Sequence, residues 1–144
     1  MKKLKTSSHA QNENQMEKKV INPWEWQNQR SYVQAVEVKN AESTLYVSGQ
    51  TAINADGESS NADMKPQLTK AIQNLEQVII EAGYDPENIV RLNIYTTSTT
   101  ELFACFDVIQ DWIAKHRIKQ ASTVLEVKSL FETLNVELEA TLVK

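Results

Sequence analysis

Cysteine and histidine are scarce. Among 144 residues there is one cysteine, Cys105, and two histidines, His9 and His116. A lone thiol excludes an internal disulfide and a cysteine-based metal cluster. Two histidines, one of them in a polar terminal stretch, make a zinc site a poor expectation, so no metal is expected. Any chemistry must come from carboxylates, hydroxyls, amides and backbone groups. Long apolar runs are missing as well. No window approaches the roughly twenty apolar residues that a membrane-crossing helix needs. Residues 1–19 also lack the apolar centre of a signal peptide. A cytoplasmic protein without a membrane partner is the expectation.

Positive charge is concentrated at the start and depleted elsewhere. Residues 1–19 carry five lysines and two glutamates, whereas residues 20–144 carry ten basic and seventeen acidic side chains. An acidic body repels phosphate backbones, which argues against nucleic acid as a partner. Glycine is rarer still, with Gly49, Gly57 and Gly83 only. Gly49 falls inside the strand-like run "LYVSGQTAINADGE" at residues 45–58. Glycine weakens a strand unless a bulge, a bend or a close backbone approach uses it.

Against these absences, regular patterning is plain. The polar stretch 1–19 cannot offset its ordering entropy and is expected to be a disordered tail, leaving residues 20–144 as one domain. "VINPWEWQNQ" places Trp24 and Trp26 behind a proline, as a segment that docks on a core edge or on a partner subunit. Residues 31–50 alternate with a period of two around "KNAES" and predict a hairpin. Residues 62–82 predict a helix, with Leu68, Ala71, Ile72, Leu75, Val78, Ile79 and Ala82 at three- and four-residue spacing and Gly83 at its C-terminal cap. Pro86 opens the short turn "DPEN".

"IVRLNIYTT" predicts a strand with Val90, Leu92 and Ile94 on one face and Arg91, Asn93, Tyr95 and Thr97 on the other. Residues 99–116 predict a second amphipathic helix, capped by Thr99 or Thr100. "ASTVLEV" and "LNVELEATLV" predict strands around "KSLFET". In the last of them Leu134, Val136, Leu138 and Ala140 oppose Asn135, Glu137, Glu139 and Thr141. The order β-β-α-β-α-β-β gives an α+β class: a single mixed sheet with two helices on one face. The other face is too polar for a second core and too varied for a plain solvated surface. Such a face often meets another subunit and leaves clefts between copies.

In order and spacing, "YVQAVEV", "LYVSGQTAINADGE", "AIQNLEQVIIEAG", "IVRLNIYTT" and "VELEATLV" resemble the RidA/YjgF (endoribonuclease L-PSP-like) family over about residues 31–143. The resemblance implies a homotrimer whose sheets pack around a central barrel, with helices outside and three small-molecule sites in the clefts between neighbours. It also implies hydrolysis of reactive enamines and imines to a 2-oxo acid and ammonia, without metal or organic cofactor. Carried over by position, Glu137 corresponds to the glutamate that positions or activates water. Tyr32 corresponds to the first-strand tyrosine, and Ser48 and Gly49 to the backbone that shapes the pocket. The family arginine that pairs with a carboxylate lies in a P-A-R-S segment, and here that segment reads Gln120-Ala121-Ser122-Thr123. A hydroxyl does not replace a planar, permanently charged fork.

Ser122 and Thr123 therefore contact a more weakly polar group in this reading. Arg91, on the polar face of its strand, is a candidate for the missing charge, its other reading being a salt bridge. Cys105 reads as a buried helix residue rather than a nucleophile. Two functions follow: a RidA-like hydrolase of an enamine, imine or related carbonyl compound with altered specificity, or a non-catalytic trimeric binder of small molecules. An RNA-acting role conflicts with the acidic body and with the lack of a histidine acid–base pair.

Overall fold

The structure, a computed structural model, describes residues 14–144. Two 3-10 turns, Trp26–Arg30 and Pro86–Asn88, accompany strands β1 (Glu17–Ile21), β2 (Ala35–Lys39), β3 (Thr44–Gln50), β4 (Ile89–Thr96), β5 (Ala121–Glu126) and β6 (Val136–Val143). The helices are α1 (Met64–Glu81), α2 (Thr99–Ala104) and α3 (Asp107–Lys115).

Helix α1 forms where the apolar spacing predicts it, and Leu68, Leu75 and Ile79 are fully buried against the sheet. Burying a leucine contributes about 1.5–3 kcal/mol, so this stripe outweighs the polar composition of the opposite face. The helix ends as Gly83 turns to φ 78°, with Gly83 N–H donating to Ile80 O and Tyr84 N–H to Ile79 O. Those two bonds make a Schellman cap, which needs a left-handed residue. The predicted turn at Pro86 is present, with Asp85 and Asn88 capping each other reciprocally.

Strands β3, β6, β4 and β5 form one mixed sheet in that order; β4 and β5 run parallel and the other pairs antiparallel. Leu92, Ile94, Leu138, Ala140 and Leu142 point to the helices and join the core of α1, α2 and α3. The α+β class with helices on one face of a mixed sheet is thus as the sequence suggests. Among the described residues no helix is long and apolar enough to cross a membrane.

Several local expectations are corrected. Residues 31–50 do not form a hairpin: β2 pairs with β1 in a separate two-stranded ribbon, and β3 pairs with β6. The cause lies at the start of β2. Val33 N–H donates to Gln120 O, and Val33 bridges Ala121 at the outer side of β5, the far end of the sheet from β3. At the other end, Glu42 and Ser43 N–H both donate to Lys144 O, which fixes where β3 begins. The expected tail lies outside the described residues over 1–13, but at its end Glu17 to Lys19 belong to β1, and Lys18 Nζ donates to Glu87 O.

The second helix breaks in two at Cys105, whose φ of −124° leaves the helical region, and its N-cap is Ser98, which accepts from Glu101 N–H. An irregularity between Ile89 and Arg91 turns Ile89, not Val90, into the core. Trp24 and Trp26 stack at 6.0 Å and stay about half exposed, so they do not fill a core edge; Gln27 is the residue buried there.

Candidate functional site

Because β4 and β6 are in register, Tyr95 lies opposite Glu137 and Asn93 opposite Glu139 on the face turned away from the helices. Glu139 Oε1 accepts from Asn93 Nδ2 at 3.0 Å and from the Tyr95 hydroxyl at 3.1 Å. Partial burial, together with that bond to Glu139, raises the Tyr95 pKa, so its phenol keeps its proton. The Glu137 carboxylate has no hydrogen-bond partner among the described residues. Burial, then the negative charge of Glu139, pushes its carboxyl above the ordinary carboxylate range.

The glycine in the third strand now has a reason. A Cβ on Gly49 would stand 2.8 Å from Glu137 Cγ and 2.5 Å from its Cδ. Gly49 is not in a left-handed conformation, so space and not backbone freedom requires it there. The β3–β6 register also shifts between Val47 and Gln50, so the bulge and the close approach occur together. Here the close approach is to the carboxylate itself. Ser48, beside it, is exposed.

A second set of groups gathers on the helix side. Ser122 pairs with Leu92 and Val124 with Ile94, so both face α2 and α3. Between β5, the helices and the turn Trp26–Arg30 lies a cavity of about 460 Å³, lined among others by Arg30, Tyr32, Phe103, Phe106, Gln120 and Ser122. Gln120, 1% exposed, donates through Nε2 to Ser31 O at 2.8 Å, and its own carbonyl accepts from Val33 N–H. These two bonds hold Ser31, with φ 61°, and seat Tyr32 at the cavity. The Arg30 guanidinium lies 4.9 Å from the centre of the Trp26 ring.

The predicted site residues thus fall into three groups within one protomer. Tyr32 meets Ser122; Glu137 meets Gly49, with Ser48 adjacent; Arg91 meets Thr123, donating from Nη2 to Oγ1 at 2.9 Å. Arg91 sits four residues along β4 from Tyr95, the partner of Glu137, a separation of about 13 Å along a strand. Ser122 Oγ donates to Leu92 O at 2.6 Å, so its proton is already used. Cys105 is buried, and burial raises its thiol pKa, which fits a packing role. Arg30 and Gln120 did not stand out in the sequence. The signal for Arg30 was its place two residues before Tyr32, and for Gln120 its place two before Ser122.

The family model described as Endoribonuclease L-PSP matches residues 25–144. The chain belongs to that family. Members of the Endoribonuclease L-PSP family, which is also the RidA/YjgF family, resemble it in sequence and in fold. A RutC family protein of Aquifex aeolicus is 32% identical over 113 residues, covering 78% of this chain and 88% of the relative. YyfB of Yersinia pestis, a Rid-family protein of unknown function, superposes with a TM-score of 0.78 at 30% identity, covering 88% of this chain and 98% of its own. TdcF of E. coli, solved with bound serine, has a TM-score of 0.65 at 23% identity, covering 78% and 87%, which speaks to fold alone.

Proposed function

We propose that this protein is a cytoplasmic homotrimer that hydrolyses a small imine or enamine, or a related carbonyl compound, in clefts shared by neighbouring copies. In the reaction, an enamine first takes a proton on carbon and gives up its N–H proton to become the imine; water then adds to the C=N carbon and the C–N bond breaks, giving a carbonyl compound and ammonia. No metal or organic cofactor takes part in this scheme.

The observation that carries the reading is Glu137. It is a half-buried carboxylate with no hydrogen-bond partner among the described residues, its pKa raised by burial and by Glu139, in a space kept open by Gly49. A base whose pKa moves toward neutrality can take a proton from attacking water and return it to the leaving amine. Tyr32 and Ser122 lie on the opposite side of their own sheet, so a site that joins them to Glu137 requires a second copy. The sheet offers edges for such an assembly. Strand β3 is unpaired on its outer side, and β5 carries only the bridge to Val33 among the described residues.

The experiment supplies chemically generated imino acids and follows ammonia and 2-oxo acid release. Wild type should accelerate release, and Glu137→Gln should abolish the acceleration. A wild-type rate equal to buffer refutes hydrolysis, and an accelerated rate that is unchanged in Glu137→Gln refutes the part given to Glu137. One observation favours the non-catalytic alternative. Serine replaces the family arginine at position 122, and its hydroxyl is spent on Leu92 O. Under that alternative the trimer binds the same compounds without releasing ammonia.

A further inference from the structure

The donors of strand β4 are unevenly shared between the two acids of β6. Glu137 and Glu139 stand two residues apart on the sheet face turned away from the helices. Tyr95 is the cross-strand neighbour of Glu137, and side chains so placed form the closest pairs on a sheet face. Its hydroxyl nevertheless donates along the diagonal, to Glu139 Oε1 at 3.1 Å. Asn93, opposite Glu139, gives its Nδ2 to the same oxygen at 3.0 Å, although its own Oδ1 is buried without a hydrogen-bond partner among the described residues. One oxygen of Glu139 thus takes two donors, while the Glu137 carboxylate takes none among the described residues. The other charged or titratable side chains that the strands place on this face are Arg91 and Tyr46. Arg91 donates to Thr123 Oγ1 and makes no ion pair with either acid, and Tyr46 lies opposite Thr141, one step beyond Glu139.

We propose that Glu139 is a positioning residue for Glu137: it draws both β4 donors to itself and so keeps the neighbouring carboxylate unpartnered and beside a like charge. A carboxylate that accepts a phenolic hydrogen bond is a weaker base than one that accepts none. Without Glu139, the Tyr95 hydroxyl is free to turn to the acid directly opposite it, and Glu137 then loses the proton affinity that general-base chemistry needs. Asn93 helps by fixing the oxygen on which that hydroxyl lands. The raised pKa of Glu137, for which burial counts first and the charge of Glu139 second, agrees in direction. The inference rests on Glu137's being the base of the reading above, but it concerns proton affinity and is read without turnover. Glu139 itself touches no reacting atom in this scheme.

The test is a carbon-13 NMR titration of the Glu137 carboxyl in the full chain, its resonance assigned by its loss in Glu137→Gln. Glu139→Gln removes the charge but keeps an oxygen for Tyr95 and Asn93, and it should lower the Glu137 midpoint. Glu139→Ala also frees the Tyr95 hydroxyl and should lower the midpoint further. Adding Tyr95→Phe to Glu139→Ala should take back that extra step, whereas Tyr95→Phe alone should move the midpoint far less. An unmoved midpoint in Glu139→Gln overturns the proposal. So does a Tyr95→Phe rise of equal size with and without Glu139, because the hydroxyl then belongs to Glu137 throughout. If Glu139→Ala does not fold, Glu139→Gln with and without Tyr95→Phe decides by the same criteria. Ammonia release is followed separately, and the acid limb of its pH profile should move down with the titration. Full release with an unmoved Glu137 midpoint in Glu139→Gln defeats this inference alone, whereas a shifted midpoint in a wild-type protein that releases no ammonia defeats only the hydrolase reading.

Discussion

Gly49 and Glu137 face each other across the β3–β6 pair so closely that a methyl group on Gly49 would lie 2.8 Å from Glu137 Cγ. The glycine and the acid are one feature: the first exists to give the second its place. Replacing Gly49 by alanine should therefore displace the Glu137 side chain and leave the strand standing. We expect imine hydrolysis to fall at least as far as in Glu137→Gln, with a stability loss of about 1–3 kcal/mol, the usual range for overpacking. Denaturant unfolding alongside ammonia release checks both. An active Gly49→Ala enzyme would detach the glycine from the site.

The raised pKa of Glu137 has a consequence for stability. The folded protein holds this proton more tightly than the unfolded chain, so the wild type loses stability as pH rises from the ordinary glutamate value of 4.5 through the raised folded value. Glutamine does not titrate. Glu137→Gln should melt higher than wild type at neutral pH, and the gap should close as pH drops below the unfolded value. Hydrolysis should rise with pH over the same window as the carboxylate forms. Thermal melts of both proteins across acid and neutral pH decide this; a gap that widens on acidification contradicts it.

Ser122 has a structural partner, so its role can be separated from ligand binding. Removing the Oγ–Leu92 O bond in Ser122→Ala should cost about 0.5–1.5 kcal/mol of stability. Imine hydrolysis should stay the same, because the hydroxyl donates inward to Leu92 O. A large loss of ammonia release would return Ser122 to the ligand's contacts.

Much of this architecture is legible in the sequence, and the illegible parts have identifiable causes. Helix α1 and strands β4 and β6 follow from periodicity, and Gly83 marks a helix end that only a left-handed residue can close. The partner of β2 does not follow, because it is chosen by a bond from Val33 to Gln120 O, eighty-seven positions downstream, with nothing local to announce it. The break at Cys105 has neither proline nor glycine to mark it. The split of the candidate site was open to inference. In "ASTVLEV" Ser122 alternates with Ala121 and Thr123, so Ser122 and Thr123 cannot share a face. Arg30 remained hidden since a cation at the end of a polar turn looks like any solvated side chain.

The open outer side of β3 bears on assembly. Tyr46, on that strand, is 79% exposed. If β3 lies at the junction of copies, Tyr46→Glu should shift the protein from trimer toward monomer while far-UV circular dichroism stays as in wild type. Sedimentation velocity reads the outcome, and a wild-type protein that sediments as a monomer removes the shared cleft altogether.

The shared site itself is tested by mixing two inactive variants. Tyr32→Ala damages the helix-side cavity and Glu137→Gln the acid, and the two are refolded together in equal amounts. If each site takes its cavity from one copy and its acid from the next, about a quarter of the sites combine two intact halves. Ammonia release should then return to about a quarter of the wild-type rate, although neither variant alone shows any. A mixture as inactive as its parents would mean that Tyr32 and Glu137 never meet across an interface.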